Sequence, residues 1–328
     1  MTFTRAVIDW LLDSDPAIRW QVMRDLTDAP EDDWQAERAK VETKGWGARL
    51  LSHQDVDGQW AGGAFLPAGY MEETWREQGQ AWTATCFSLQ QLYDFGLDPS
   101  SERAQRMVDL IGEHSRWDHD GQPFWEGEVE ECINARTVTV GVYFGVEVAP
   151  IVTRLLGERQ PDGGWNCERC NGSHRSSFHT TINVLEALLA YEQAKGATVE
   201  TQAARMAGEV YLLERSLFRR LETGDVVDER YLKLLYPHRW RYDILRGLDY
   251  FRAAALATGT APDPRLAEAI AHLRARQSED STWPLDWQLK GPVWFVMEEV
   301  GAPSRWITLK ALRILRWWDA AGGGHRPR

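Results

Sequence analysis

QPDGGW, at residues 160–165, is a polar turn that ends in a tryptophan and precedes an apolar stretch with helical spacing. Related segments occur as QDVDGQW at 54–60, DGQPFW at 120–125 and QSEDSTW at 277–283. Because a loop and then an apolar run follow each copy, the four copies predict a repeated unit of structure. The chain is therefore expected to be an array of similar helical hairpins.

Three of the apolar runs begin alike, with an aromatic residue or a histidine before one or two threonines. These beginnings are Trp82–Thr85, Phe178–Thr181 and Arg305–Thr308, with looser copies at Cys132–Thr137 and Arg239–Asp243. Amphipathic segments alternate with these runs, so apolar helices are expected inside, covered by amphipathic partners. About five or six such pairs fit the chain, which predicts an all-α, single-domain barrel of inner and outer helices.

The domain organisation follows from this pattern. Residues 1–44 are expected to form N-terminal helices packed on the barrel, with Asp15 and Pro16 opening a helix that runs to about Thr27. Residues 45–319 are expected to form the barrel core, and residues 320–328 a frayed tail.

Composition limits the partners and the location. The net charge of −12 argues against a nucleic acid or an anionic membrane as the main partner. The sequence has no apolar run of about 18 residues and no signal-like N terminus, which predicts a cytoplasmic protein with no integral membrane segment. Four cysteines are too few for a disulfide framework in 328 residues, so they are expected to be thiols or metal ligands.

The repeated segments, each followed by a threonine-bearing helix, resemble those of the α/α-toroid superfamily. This superfamily contains squalene–hopene cyclases, other terpenoid cyclases and the β subunits of protein prenyltransferases. The resemblance covers roughly residues 45–318. It implies that each repeat tryptophan is a structural clamp, and that a pocket lies at the rim where the inner helices begin.

The same resemblance implies a zinc site. Glu130-Glu131-Cys132 resembles the Asp-x-Cys pair that supplies two zinc ligands in prenyltransferase β subunits, and Phe178-His179-Thr180 resembles their Tyr-His-Thr, whose histidine is the third ligand. Glu130, Cys132 and His179 are thus the implied ligands of Zn²⁺. Three such ligands leave a fourth position open for a substrate thiol or a water molecule.

Alternative ligands stand in the loop after Trp165. Cys167, Cys170 and His174 could form a site of their own, together with His179. Cys167 could instead join Cys132 and His179, a set similar to the Cys-Cys-His zinc site of lanthionine cyclases, which are also α/α toroids. The local motifs of lanthionine cyclases are not present in this chain.

The inner-helix starts also supply candidate substrate-binding and catalytic residues. Aligned helix N-termini make such a rim slightly positive, which favours an anionic group on the ligand. The predicted catalytic residues are Glu130, Tyr242 and Asp243. The predicted substrate-binding residues are Trp82, Arg136, Phe178, Arg239, Trp240, Arg305 and Trp306.

Two departures from the superfamily limit the inference. The chain has no Asp-x-Asp-Asp motif, which supplies the acid in one class of terpene cyclase. Residues 117–130, where prenyltransferases carry a basic cluster for a diphosphate, contain no Lys or Arg. A prenyl diphosphate would therefore depend on Arg136, Arg239, Arg241 and Arg305.

The leading hypothesis is a zinc-dependent transferase or cyclase that acts on a small hydrophobic substrate, such as an isoprenoid, in an aromatic-lined pocket. The sequence does not indicate a partner subunit. One alternative is a metal-free enzyme that acts on an isoprenoid or a carbohydrate through Glu130, Asp243 or Glu298. Another is a non-catalytic toroid that binds a ligand or docks a partner.

Overall fold

A computed structural model of the protein describes residues 4–322, and these residues form helices and loops joined by isolated β-bridges. The all-α class predicted from the repeats is confirmed. The α-helices are α1 (Arg5–Leu12), α2 (Pro16–Leu26), α3 (Glu31–Ala39), α4 (Gly45–Leu51), α5 (Glu72–Gln78), α6 (Thr85–Phe95), α7 (Glu102–His114), α8 (Glu131–Tyr143), α9 (Ala149–Gly157), α10 (Phe178–Lys195), α11 (Val199–Leu213), α12 (Ile244–Thr258), α13 (Ala267–Ala275) and α14 (Arg305–Gly322). Across residues 4–322, none of them combines the length and low polarity that crossing a bilayer requires.

Six helices contact one another in a circuit. Starting from α6, the contacts run through α8, α10, α12 and α14 to α2, and α2 contacts α6. Nine of the 13 residues of α8 are buried, so this helix is enclosed on several sides. In α7, by contrast, the buried residues recur at helical spacing, at Ala104, Met107, Val108 and Ile111. The alternation of interior and amphipathic helices therefore follows the sequence pattern.

One helix of the N-terminal region, α2, belongs to this circuit. Asp15 caps α2 by accepting from the backbone N–H of Ala17 (2.9 Å), as its position before Pro16 predicts. α2 then contacts both α6 and α14. The expected tail at 320–328 begins inside α14, which continues to Gly322. Residues 323–328 lie outside the described part of the chain.

The repeat tryptophans join outer helices to inner ones. The indole Nε1 of Trp60, Trp165 and Trp283 donates to a leucine carbonyl ten residues earlier, in α4, α9 and α13, at 2.9, 2.7 and 2.7 Å. Their backbone N–H groups donate to threonine hydroxyls near the starts of α6, α10 and α14. These threonines are Thr85, Thr181 and Thr308, at 3.1, 3.1 and 3.0 Å. Each tryptophan is fully buried, so these bonds fix how an outer helix meets the next inner helix.

The second repeat uses other residues for the same purpose. Phe124 is the fully buried residue there, and Trp117 stacks on it at a centroid distance of 4.6 Å. Trp125 is only half-buried and donates to the Val108 carbonyl at 3.3 Å. Asn134 replaces the threonine: its side chain bonds the backbone N–H and C=O of Glu128, both at 2.7 Å.

Candidate metal centre at the start of α8

Two cysteines and a carboxylate meet where α8 begins. Glu130 is the residue before α8, Cys132 lies in its first turn, and Cys167 begins a short 3₁₀-helix two residues after Trp165. A carboxylate oxygen of Glu130 and the two Sγ atoms all lie within 4.8 Å of one another. Because the bonds of Trp165 fix its loop between α9 and α10, Cys167 is held against the start of α8.

Hydrogen bonds give the two sulfur atoms different roles. Cys167 Sγ accepts from the backbone N–H of Cys132 (3.3 Å) and from the hydroxyl of Thr180 (3.4 Å). Cys132 Sγ donates to Glu130 Oε2 (3.5 Å). Cys167 Sγ is thus the acceptor of two hydrogen bonds in this group. Cys132 is a protonated thiol in the same group.

Two of the three groups have raised pKa values. The neighbouring Cys167 and burial raise the pKa of the Cys132 thiol well above its ordinary value, and burial raises the pKa of Glu130. Cys132 and Glu130, which would repel each other as anions, therefore share a small space and retain protons more readily than usual. A divalent cation there would displace those protons, and one oxygen with two sulfurs is a ligand set that zinc accepts.

Arg169 holds the cysteine loop in position. Its guanidinium pairs with Glu131 of α8 at 2.6 Å and with Glu158 at 2.9 Å. The Glu131 side chain is only 2% exposed, so this ion pair is shielded on the carboxylate side. The 3₁₀-helix that carries Cys167 is thereby tied both to α8 and to the end of α9.

His179, the third ligand implied by the sequence, is engaged elsewhere. Its Nδ1 accepts from the backbone N–H of Tyr242 at 2.9 Å, and its ring packs edge-on against Tyr231 and Trp240, both at 5.4 Å. Burial, and then Arg241, lower its pKa to about 4. The structure thus brings Glu130 and Cys132 together with Cys167 and leaves His179 outside this group.

The other alternative ligands also lie apart. Cys170 and His174 are exposed, and among the described residues neither belongs to the group around Cys132. Of the three candidate ligands in that loop, Cys167 is the one that joins the group at the start of α8. The signal in the sequence was its spacing, two residues after a clamp tryptophan.

Three aromatic residues predicted to face a substrate pocket are packed in the interior. Trp82 is 3% exposed and donates through Nε1 to the Lys290 carbonyl at 2.8 Å. Phe178 packs on Tyr242 at 5.3 Å, and the Tyr242 hydroxyl donates to the Leu217 carbonyl at 2.7 Å. The polar atoms of Trp82 and Tyr242 thus donate to backbone carbonyls, as is usual for core residues.

Asp243 and Glu298 cap helices. Asp243 is fully buried and accepts from the backbone N–H groups of Arg246 (2.8 Å) and Leu235 (3.0 Å), with His238 Nε2 at 2.9 Å. Glu298 accepts from the backbone N–H of Arg305 at 2.7 Å, at the start of α14. Because their oxygens hold backbone, both carboxylates have structural positions.

The predicted rim arginines point in different directions. Arg239 is buried, with its guanidinium over the Trp82 ring at 5.6 Å and a bond to Gln91 at 3.3 Å. Arg305 donates to the carbonyls of Trp10 (3.4 Å) and Asp13 (3.1 Å), so it binds the N-terminal segment. Trp240 is half-buried beside Arg241, at 4.9 Å.

Arg136 and Trp306 share a different environment. Both line a partly open cavity to which every helix of the circuit contributes, and Arg136 pairs there with Glu186 at 2.8 Å. Of the predicted substrate-binding residues, these two meet at a common cavity. Asp94 and Glu186 also line it. Neither is recognisable from the sequence, because Asp94 lies in the last turn of α6 and Glu186 in the middle of α10.

Comparisons with known proteins identify no family. No protein-family model matches the chain, and no curated protein sequence matches it. A solved structure described as a protein from Actinoplanes is similar over 96% of this chain and 98% of that one, with 16% identical residues and a TM-score of 0.47. Similarity at this level carries no argument about fold or function.

Proposed function

We propose that the chain is a closed α/α barrel that binds a zinc ion through Glu130, Cys132 and Cys167, and that this ion serves an enzymatic reaction. The barrel is supported by the circuit of contacts that returns from α14 through α2 to α6. It is also supported by the three clamps that join outer helices to inner ones.

One observation carries the zinc proposal, namely that three ligand atoms from two separate segments lie within 4.8 Å of one another. Zinc held by three protein ligands acts as a Lewis acid that binds and activates a thiol or a water molecule at its fourth position. Cys167 Sγ already accepts two hydrogen bonds, and Glu130 accepts a hydrogen bond from the S–H group of Cys132.

The reaction class is proposed from the repeats. A transferase or cyclase agrees with the resemblance of the repeats to the toroid superfamily. Trp82, Phe178 and Tyr242 are buried against other residues, so they do not line an open hydrophobic pocket. Zinc and its three ligands are therefore proposed from the geometry of the site. An isoprenoid substrate is an expectation from the resemblance alone.

Metal analysis of the purified protein tests this proposal. The wild-type chain should contain about one equivalent of zinc, and Cys132→Ser, Cys167→Ser and Glu130→Gln should each lose most of it. Cys170→Ser is the matched control, since it removes an exposed thiol from the same loop. His179→Ala should retain zinc, which distinguishes this ligand set from the one inferred from sequence.

Two results would overturn the proposal. The first is a wild-type protein that holds less than about a tenth of an equivalent after purification with zinc in the medium. The second is zinc retained undiminished in Cys167→Ser while circular dichroism shows the variant to be folded.

A further inference from the structure

A cavity of about 420 Å³ lies inside the circuit of helices, apart from the metal centre. Every helix of the circuit contributes polar side chains to it. One from each, in chain order, is Gln21, Asp94, Arg136, Glu186, Arg246 and Lys310. These residues lie mostly in the middle of their helices, whereas Glu130 and Cys132 lie at the start of α8. The cavity shares no residue with the proposed zinc ligands.

The lining carries a surplus of positive charge, although the protein as a whole is acidic. Seven arginine or lysine side chains line the cavity, against three carboxylates. The carboxylates are shared: Glu186 pairs with Arg136 (2.8 Å) and Arg246 (2.6 Å), and Asp249 pairs with Lys310 (3.0 Å) and Arg252 (2.8 Å). Each shared carboxylate leaves one cation uncompensated.

The remaining charges do not reverse this surplus. Although burial opposes ionisation, Arg246 and Arg136 lower the pKa of Glu186 to about 2. Glu186 therefore carries one negative charge at neutral pH and can supply no more. Burial raises the pKa of Asp94, which favours its neutral form. Asp25, just outside the lining, pairs with Arg313 and compensates one cation. The interior is still positive.

Several buried donors at this cavity have no protein partner. Trp306 Nε1 makes no hydrogen bond to any residue in the described range 4–322, and the Tyr236 hydroxyl has only the nearby carboxyl of Asp94, outside close hydrogen-bond geometry. Each of the two residues is only 2% exposed. The Nε atoms of Arg136 and Arg313 also make no hydrogen bond to any of these described residues. A buried donor without an acceptor destabilises the folded state. Three such donors at one cavity, together with the Tyr236 hydroxyl, indicate an occupant rich in acceptors.

We propose that this cavity binds a small organic anion, a compact polar molecule that carries a carboxylate or a phosphate. The anionic group would balance the cations around Arg136 and Arg246, and its oxygens would accept from Tyr236 and Trp306. The volume lies within the range of small-molecule sites. A neutral hydrophobic molecule would satisfy neither the charges nor the donors.

Titration with pyrophosphate and, separately, with citrate tests this inference by calorimetry and thermal unfolding at constant ionic strength. Saturable binding of at least one anion is expected, with an unfolding midpoint that rises with its concentration. Tyr236→Phe and Trp306→Phe keep a ring and remove a donor, so each should weaken binding about fivefold to tenfold. Phosphate-bearing and carboxylate-bearing ligands are distinguished by which probe binds.

Matched controls remove the same groups elsewhere. Tyr70→Phe and Trp75→Phe lie outside the cavity and should leave the affinity unchanged. Binding no stronger than that of chloride for both probes would overturn the inference, as would equal affinities in cavity variants and controls. The double variant Cys132→Ser with Cys167→Ser should bind the anion as the wild type does. Failure of the zinc proposal can therefore be distinguished from failure of the anion proposal.

Discussion

His179 is a partly buried histidine that the folded chain keeps neutral near pH 7. Its Nδ1 accepts a backbone hydrogen bond from Tyr242, and a proton on that nitrogen would abolish the bond. Burial and the charge of Arg241 lower its pKa from 6.5 to about 4. Because the folded pKa lies below the ordinary one, the neutral ring contributes stability above pH 6.5 and loses it as the pH falls toward about 4.

The free energy of unfolding should therefore fall between pH 6.5 and pH 4.5, with about 2 kcal/mol of the loss due to His179. His179→Asn provides the comparison, because its amide oxygen can accept from the Tyr242 N–H and does not titrate. Urea unfolding at both pH values measures the two proteins. A loss of equal size in the variant would show that His179 does not set the acid limit.

At the scale of elements, the threonine clamps decide how each inner helix begins. Thr85 accepts from the Trp60 N–H and also donates to the Gly63 carbonyl at 2.7 Å, so one hydroxyl joins a loop to a helix start. Thr308 accepts from the Trp283 N–H in the same way, and both residues are fully buried. The clamp therefore stabilises the junction of helix and loop more than the helix itself.

Thr308→Val should lower the free energy of unfolding by about 1–3 kcal/mol, because it keeps the side-chain shape and leaves the buried Trp283 N–H without an acceptor. Thr153→Val makes the same chemical change at an exposed position of α9 and should shift stability by less than about 0.5 kcal/mol. Chemical denaturation measures both. Similar small effects in the two variants would assign no energetic role to the clamp bond.

At the scale of the whole molecule, the two ends of the chain stabilise each other. Arg313 of α14 is 8% exposed, pairs with Asp25 of α2 and donates to Gln21 at 2.8 Å. Arg316 reaches Asp28 at 2.7 Å. These contacts join residues almost 300 positions apart, since Gln21 and Arg313 are separated by 292. Unfolding of one end should therefore expose the other.

Arg313→Met should cost about 3 kcal/mol, because it leaves the largely buried Asp25 carboxylate without its partner on α14. Hydrogen exchange should become faster in both α2 and α14. Arg265→Met removes a surface ion pair with Asp263 and should cost at most about 1 kcal/mol. Faster exchange confined to α14 would contradict the coupling of the two ends.

The helical repeat was determined by the sequence itself. Its signals are local: an apolar run with helical spacing, a tryptophan after a polar turn and a threonine near the next helix start. Thr181 bonds Trp165 from only 16 residues away, so the pattern and the contact lie in one stretch of chain. Such short-range relations survive in a linear sequence, because neighbouring residues can meet in few ways.

The sites were decided by the tertiary structure. Cys167 and not His179 joins Cys132, because the position of a side chain at a helix start depends on which neighbouring loop packs against it. The cavity gathers side chains from Gln21 to Arg313, one or a few from each helix. No local spacing records that Arg136, Glu186 and Arg246 meet there. Their charges interact strongly only once the helices of the circuit bring them together around one cavity.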